Sequence, residues 1–176
     1  NNAINCYNSQ ATADVYAINF IANITLDSAS MVISNATPGV ELRINGNFYV
    51  LSGANTYRGL EINPNTLVII EGLTIRDGKA DTSGGGILNY GTLTISYTFV
   101  ISNSANFDGG GILNYGTLTV NNSNLSRNNP RRRLLLCCPR HNMFRHRVMG
   151  RRMAMALRMR VTPFITPLNR AIHCSE

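Results

Sequence analysis

The sequence predicts an all-β solenoid, a parallel β-helix, and three observations carry that prediction. An eleven-residue string, Gly84 to Thr94 (GGGILNYGTLT), returns unchanged as Gly109 to Thr119, an offset of 25 residues. A fixed period of this size marks a chain that stacks one unit on the next. Inside each copy the apolar residues alternate: Leu93 and Ile95 flank Thr94, and Leu118 and Val120 flank Thr119. That alternation, rich in β-branched residues, reads as half-buried strand. No apolar pattern of 3.6-residue period and helix length interrupts the repeats.

From the N-terminus, residues 1–40 read as an N-terminal cap or early turns, with the apolar run Val15 to Leu26 as the first of them. Clear turns span 59–129. A degenerate copy opens them: Thr66-Leu67-Val68-Ile69 matches Thr92-Leu93-Thr94-Ile95 at offset 26, which sets Asn63 on Asn89 and Asn114. Leu67, Leu93 and Leu118 are then expected to form one inward ladder, and Ile69, Ile95 and Val120 another. The triple glycines, Gly91 and Gly116 read as corners with φ > 0. Downstream, Val100 falls on Leu125 and Asn103 on Asn128, both at offset 25. An amide ladder through Asn63, Asn89 and Asn114 and a stack of Tyr90 on Tyr115 are expected at the corners.

A unit this small cannot bury its own apolar face, so the strands must stack at about 4.8 Å. Each aliphatic side chain buried in the stack contributes roughly 1.5–3 kcal/mol. A leucine-rich repeat fits less well, since no Leu-x-x-Leu-x-Leu spacing recurs. A propeller blade needs a longer period.

The repeats also carry a resemblance. The segment from Gly84 to Ile95, with Gly72-Leu73-Thr74-Ile75-Arg76-Asp77-Gly78 and Ile44-Asn45-Gly46-Asn47, resembles bacterial right-handed parallel β-helix surface proteins. The nearest group is the polymorphic-outer-membrane-protein-like proteins with Gly-Gly-Ile repeats, over about residues 14–129. The resemblance implies a right-handed β-helix that is secreted or displayed on the outer membrane as an adhesin or autotransporter-like passenger. It implies carbohydrate or host-surface protein as partner. The same superfamily holds pectate-lyase-like carbohydrate enzymes, so fold alone does not assign an activity.

The net charge of +7 hides two unlike halves. Residues 1–129 hold five basic and eight acidic residues, a balance of −3. Residues 130–176 hold eleven arginines, no lysine and one acid, Glu176, a balance of +10. Three readings of this Arg/Met-rich tail stand in order. The first is an out-of-frame translation, because Arg131-Arg132-Arg133 stands near the place for a further Gly-Gly-Gly, and CGG-type codons read one base later become glycine codons. A translation of the next frame from codon 130 that lacks such a segment removes this reading. The second is a disordered, solvated tail. The third is a basic patch, with Arg151 to Val161 as an amphipathic helix on an anionic partner. Arg131 to Leu136 could otherwise cap the last turn, which a solenoid requires. No nucleic-acid partner is expected, and the chain reads as a fragment of a longer solenoid.

Candidate sites are sparse. Cys6 reads as a small buried hydrophobe. Cys137, Cys138 and Cys174 with His141, His146 and His173 lack the Cys-x₂-Cys spacing of a zinc site. Asp77, Asp81 and Asp108 lie near repeat junctions, where carboxylates on adjacent turns can hold Ca²⁺ beside a base such as Arg76 or Lys79. Solvated corner charges are the plainer reading, because position 81 repeats as Asn106. Asn23, Asn35, Asn121 and Asn124 head glycosylation-type triplets that arise by chance in so Asn-, Ser- and Thr-rich a chain. Phosphate-loop, nucleophile-elbow and His-Glu-x-x-His motifs are missing, as is an apolar run of membrane-spanning length. Neither a catalytic residue nor a cofactor or metal is assigned, and the expectation is a non-enzymatic surface protein.

Overall fold

Alternating residues wrap the chain into about five turns of a parallel β-solenoid, headed by one short helix. The computed structural model describes residues 2–28, 30–130 and 170–171. Turn one holds β1 (Val15–Asn19), β2 (Ile24–Thr25) and β3 (Met31–Ile33), and turn two holds β4 (Glu41–Asn45), β5 (Val50–Ser52) and β6 (Leu60–Ile62). Turn three holds β7 (Leu67–Glu71), β8 (Thr74–Arg76), β9 (Lys79–Ala80) and β10 (Ile87–Asn89). Turn four repeats it as β11 (Thr92–Ser96), β12 (Phe99–Ile101), β13 (Ser104–Ala105) and β14 (Ile112–Asn114). Turn five supplies β15 (Thr117–Asn121), β16 (Asn124–Ser126) and β17 (Asn129–Pro130). Every strand pairs in parallel with its counterpart one turn away, which builds four sheets along the axis.

The core is a set of columns. Leu42, Val68, Leu93 and Leu118 form one, and Ile44, Ile70, Ile95 and Val120 form the next. Leu51, Ile75, Val100 and Leu125 form a third, bearing out the predicted Val100–Leu125 pairing. The columns loosen at turn five, where Leu118 and Leu125 are half-buried and Val120 is exposed.

The register differs by one residue from the sequence expectation in turn three. Leu67 pairs with Thr92, and Val68 with Leu93, so the offset is 25 and not 26. Leu67 is exposed, while Val68 and Ile70 are fully buried. Leu67-Val68-Ile69-Ile70 is apolar at both parities, so its letters fit either face, although a one-residue slip exchanges every side chain. The corner before the strand decides the matter. The Thr66 hydroxyl donates to the Asn63 carbonyl (2.6 Å), and Thr92 N–H donates to the Thr66 carbonyl. For the same reason Asn63 leaves the amide ladder, and Ile62 stands beneath Asn89. We expect Ile70→Ala to cost about 2–5 kcal/mol, and Leu67→Thr to stay within about 0.5 kcal/mol. Urea unfolding of both variants checks this, and the opposite ranking would restore the shifted register.

The glycines also act differently from the expectation. Gly84 and Gly109 hold positive φ (70° and 61°), but the other repeat glycines do not. Those lie where backbones meet: a Cβ on Gly91 would stand 2.6 Å from the Thr66 carbonyl oxygen, and one on Gly116 2.0 Å from the Gly91 carbonyl oxygen. They are needed for close approach.

The N-terminal residues form a helix, α1 (Asn2–Asn8), which closes the first turn. Seven residues are too few to show a helical period, yet Ile4 and Tyr7, three apart, share its buried face. The Asn8 side chain donates to the Val32 carbonyl and accepts from Ser34 N–H, so it occupies part of the open edge of β3. Tyr7 packs edge-on against Tyr16 (6.1 Å between centroids), and its hydroxyl is buried with no hydrogen-bond partner. Burial first, then Glu41 and Tyr16, push its ionisation up to about 12. The unfolded chain ionises near pH 10, so this contribution is complete below about pH 10 and is lost as pH rises towards about 12. Tyr7→Phe should abolish that fall and match or exceed the parent's stability at neutral pH, since it removes an orphan hydroxyl. Denaturant melts at pH 7 and 11 test both points.

Of the tail, the described pair Arg170–Ala171 forms β18, parallel to β1. The junction at Asn129-Pro130 is itself β17, while the predicted amphipathic helix, the Arg131 to Leu136 cap and the rest of the tail lie outside the described residues.

Candidate functional site

Turns three, four and five bend between their first and second strands at a corner of two residues: Gly72-Leu73, Tyr97-Thr98 and Asn122-Ser123. The leading residue is left-handed in all three, with φ of 61°, 50° and 46°. The second points inward. Leu73 and Thr98 are buried, and hydroxyls replace missing strand bonds: Thr98 N–H donates to Ser123 Oγ (3.0 Å) and Leu73 N–H to Thr98 Oγ1 (3.5 Å).

In turn two the same corner is longer, Gly46-Asn47-Phe48-Tyr49. The added residues sit in the left-handed region, Asn47 at φ 48° and Phe48 at 61°. Such backbone is rare for a bulky side chain. It is held by Phe48 N–H donating to the Gly72 carbonyl (2.6 Å) and by the Asn47 amide donating to the Phe20 carbonyl (2.9 Å). The outcome is a projecting ring: Phe48 is 76% exposed. Turn one has a long corner too, Phe20 to Asn23, with Ile21 exposed.

Phe48, Gly72 and Tyr97 therefore follow one another along the axis on successive turns. With Asn45, Asn47 and Glu71 they line a groove of about 290 Å³. Gly72 forms its floor, and the Phe48 ring lies 3.8 Å from where a Gly72 Cβ would stand. Tyr97 is half exposed, and Phe99 adds a further exposed ring on the adjoining face. Asn45 donates to Asn19 Oδ1 (2.6 Å). Among the described residues, the amide oxygens of Asn45 and Asn47 and the Glu71 carboxylate have no protein partner.

Sequence reasoning passed over Phe48, Tyr97 and Glu71. The available signal was the spacing between alternating strands, longer at Gly46 to Tyr49 than at Gly72-Leu73. It was hidden because turn two has few letters in common with the exact repeat.

The acidic residues singled out from sequence do not converge. Asp77 pairs with Arg76 (3.3 Å) at a different corner and accepts a long bond from Ser52. Asp81 lies under Asn106, as the repeat predicts, 3.4 Å from its amide nitrogen. The backbone N–H of Asp108 donates to Ser83 Oγ, and Lys79 is exposed on β9. Among the described residues no three acidic, His or Cys side chains gather as a metal site. No helix among them is long and apolar enough to cross a membrane. Cys6 departs from the buried-hydrophobe reading: it is half-buried on α1 and disulfide-bonded. The Cys137, Cys138, Cys174 and histidine group lies outside the described residues. Asn35, one of the glycosylation-type asparagines, is buried, and its amide donates to the Tyr7 and Gln10 carbonyls.

The predicted ladders form in part. The Asn89 amide donates to Asn114 Oδ1 (2.6 Å), and Tyr90 stacks on Tyr115 at 5.2 Å and 9°. Asn103 likewise donates to Asn128 Oδ1 (3.1 Å). These columns join turn to turn. No family model, curated protein or solved structure matches this chain.

Proposed function

We propose that this chain is a non-enzymatic binding protein of the cell surface or the extracellular space, an adhesin- or passenger-like β-solenoid. The observation that carries the reading is the corner in turn two, longer than in turns three to five, which projects Phe48 from the stack. In repeat proteins, insertions gather on one face, and that face is often the binding face. A regular parallel stack is a stiff platform for such a loop. The location rests on the sequence resemblance to displayed β-helix proteins. The partner class is carbohydrate or a cell-surface protein.

Two measurements test this. Protease treatment of intact producing cells should remove the chain, and protection from it would overturn the surface location. Incubation with polygalacturonate and Ca²⁺ should release no unsaturated products. Clear turnover would overturn the non-enzymatic role in favour of a pectate-lyase-like enzyme.

A further inference from the structure

We infer that the groove between Phe48 and Tyr97 is a subsite for a neutral pyranose ring of a glycan. This deepens the binding role proposed above and rests on it.

The inference starts from what the groove presents. Its two walls are aromatic rings, 76% and 50% exposed, on turns two and four. Their backbones are two rungs apart, about 9.6 Å if each rung is ~4.8 Å, and the Phe48 ring leans over the rung between them. Gly72 between them contributes no side chain, so the floor is bare backbone beside the edge of the Phe48 ring. Along the groove run three acceptors with no partner among the described residues, Asn45 Oδ1, Asn47 Oδ1 and the Glu71 carboxylate. A pyranose has apolar C–H faces that lie against aromatic rings and a rim of hydroxyls that donate to such acceptors. Apolar walls with a few placed polar groups are the ordinary make-up of a small-ligand site.

The charge narrows the ligand. Among the described residues neither arginine nor lysine lines the groove, and Glu71 places a carboxylate in it. An anionic sugar such as a uronate, or a sulfated or phosphorylated one, would meet repulsion with no cation to offset it. The subsite thus selects neutral sugars over the acidic polymers that a pectate-lyase-like protein would take.

The backbone at the two rings is left-handed. Phe48 and Tyr97 both hold left-handed φ, 61° and 50°. At Tyr97 this is the conformation every short corner takes, as at Gly72 and Asn122, whereas at Phe48 it belongs to the lengthened corner of turn two.

The strain also supplies a clean test. Glycine suits positive φ, so Phe48→Gly and Tyr97→Gly remove a ring without straining the fold. The full chain would be applied to immobilised neutral gluco-, manno-, galacto- and N-acetylglucosamine oligosaccharides and to oligogalacturonate. We expect binding to at least one neutral series. Each glycine variant should weaken it tenfold or more with an unchanged or higher melting temperature, and Tyr115→Ala should leave it unchanged. Oligogalacturonate should bind more weakly than the neutral series. Neutral binding that survives both glycine variants would overturn this subsite and leave the binding role standing. Preference for oligogalacturonate, or no glycan binding at all, would overturn the ligand class. If a cell-surface protein then binds and loses affinity in Phe48→Gly, the proposed function stands and the glycan assignment falls.

Discussion

Gly85→Ala is expected to break the stack between turns three and four. A Cβ at this position would stand 1.9 Å from the Ser104 carbonyl oxygen, 2.6 Å from its carbon and 2.7 Å from the Gly110 carbonyl oxygen. All three are backbone atoms, so no rotamer change relieves the contact. Gly85 also donates its N–H to the Gly109 carbonyl and accepts from Gly59, so a shift disturbs the turns above and below. We expect a loss beyond about 4 kcal/mol, in the range reserved for disrupted cores and networks. Gly72→Ala is the contrasting case. Its Cβ would meet nothing nearer than 3.8 Å, so the strain is in φ alone, about 1–2 kcal/mol. Denaturant melts and limited proteolysis should separate the two. A Gly85→Ala chain that melts like the parent would contradict the backbone-to-backbone packing.

The second large effect is expected at Asn103. Its side chain is buried and makes three turn-spanning bonds. Oδ1 accepts from Gly78 N–H (2.8 Å), and Nδ2 donates to the Ile75 carbonyl and to Asn128 Oδ1 (both 3.1 Å). Asn103→Leu keeps the bulk and removes every partner. A buried polar group left unpaired costs about 1–3 kcal/mol, so we expect a total loss of about 3–5 kcal/mol. Asn128→Leu should cost less, because Asn128 is itself half-buried and the Asn103 amide nitrogen it strands keeps the Ile75 carbonyl. Equal losses at the two sites would show that burial does not set the effect.

These residues mark how far the sequence was legible. Asn103 and Asn128, Asn89 and Asn114, and Tyr90 and Tyr115 were readable as columns, because an exact repeat fixes which side chains lie one turn apart. Turn three was readable as a turn but misread in register, because Leu67-Val68-Ile69-Ile70 carries apolar residues on both faces. The glycines were visible, but their purpose was not. A missing Cβ that admits a neighbouring backbone and one that permits positive φ look identical in one dimension. Helix α1 escaped because its two buried residues set no pattern. The aromatic groove escaped because it joins residues of turns two, three and four, and its defining feature is a change in loop length.

The direction of the hydrogen bonds has a mechanical consequence. Strand bonds, corner hydroxyls and amide columns all run from one turn to the next, along the axis. Tension between the two ends of the solenoid therefore loads one junction at a time. Each released turn of 25–26 residues would lengthen the chain by about 80–90 Å. Such a protein would yield to a pull in steps, as a tether that dissipates load turn by turn.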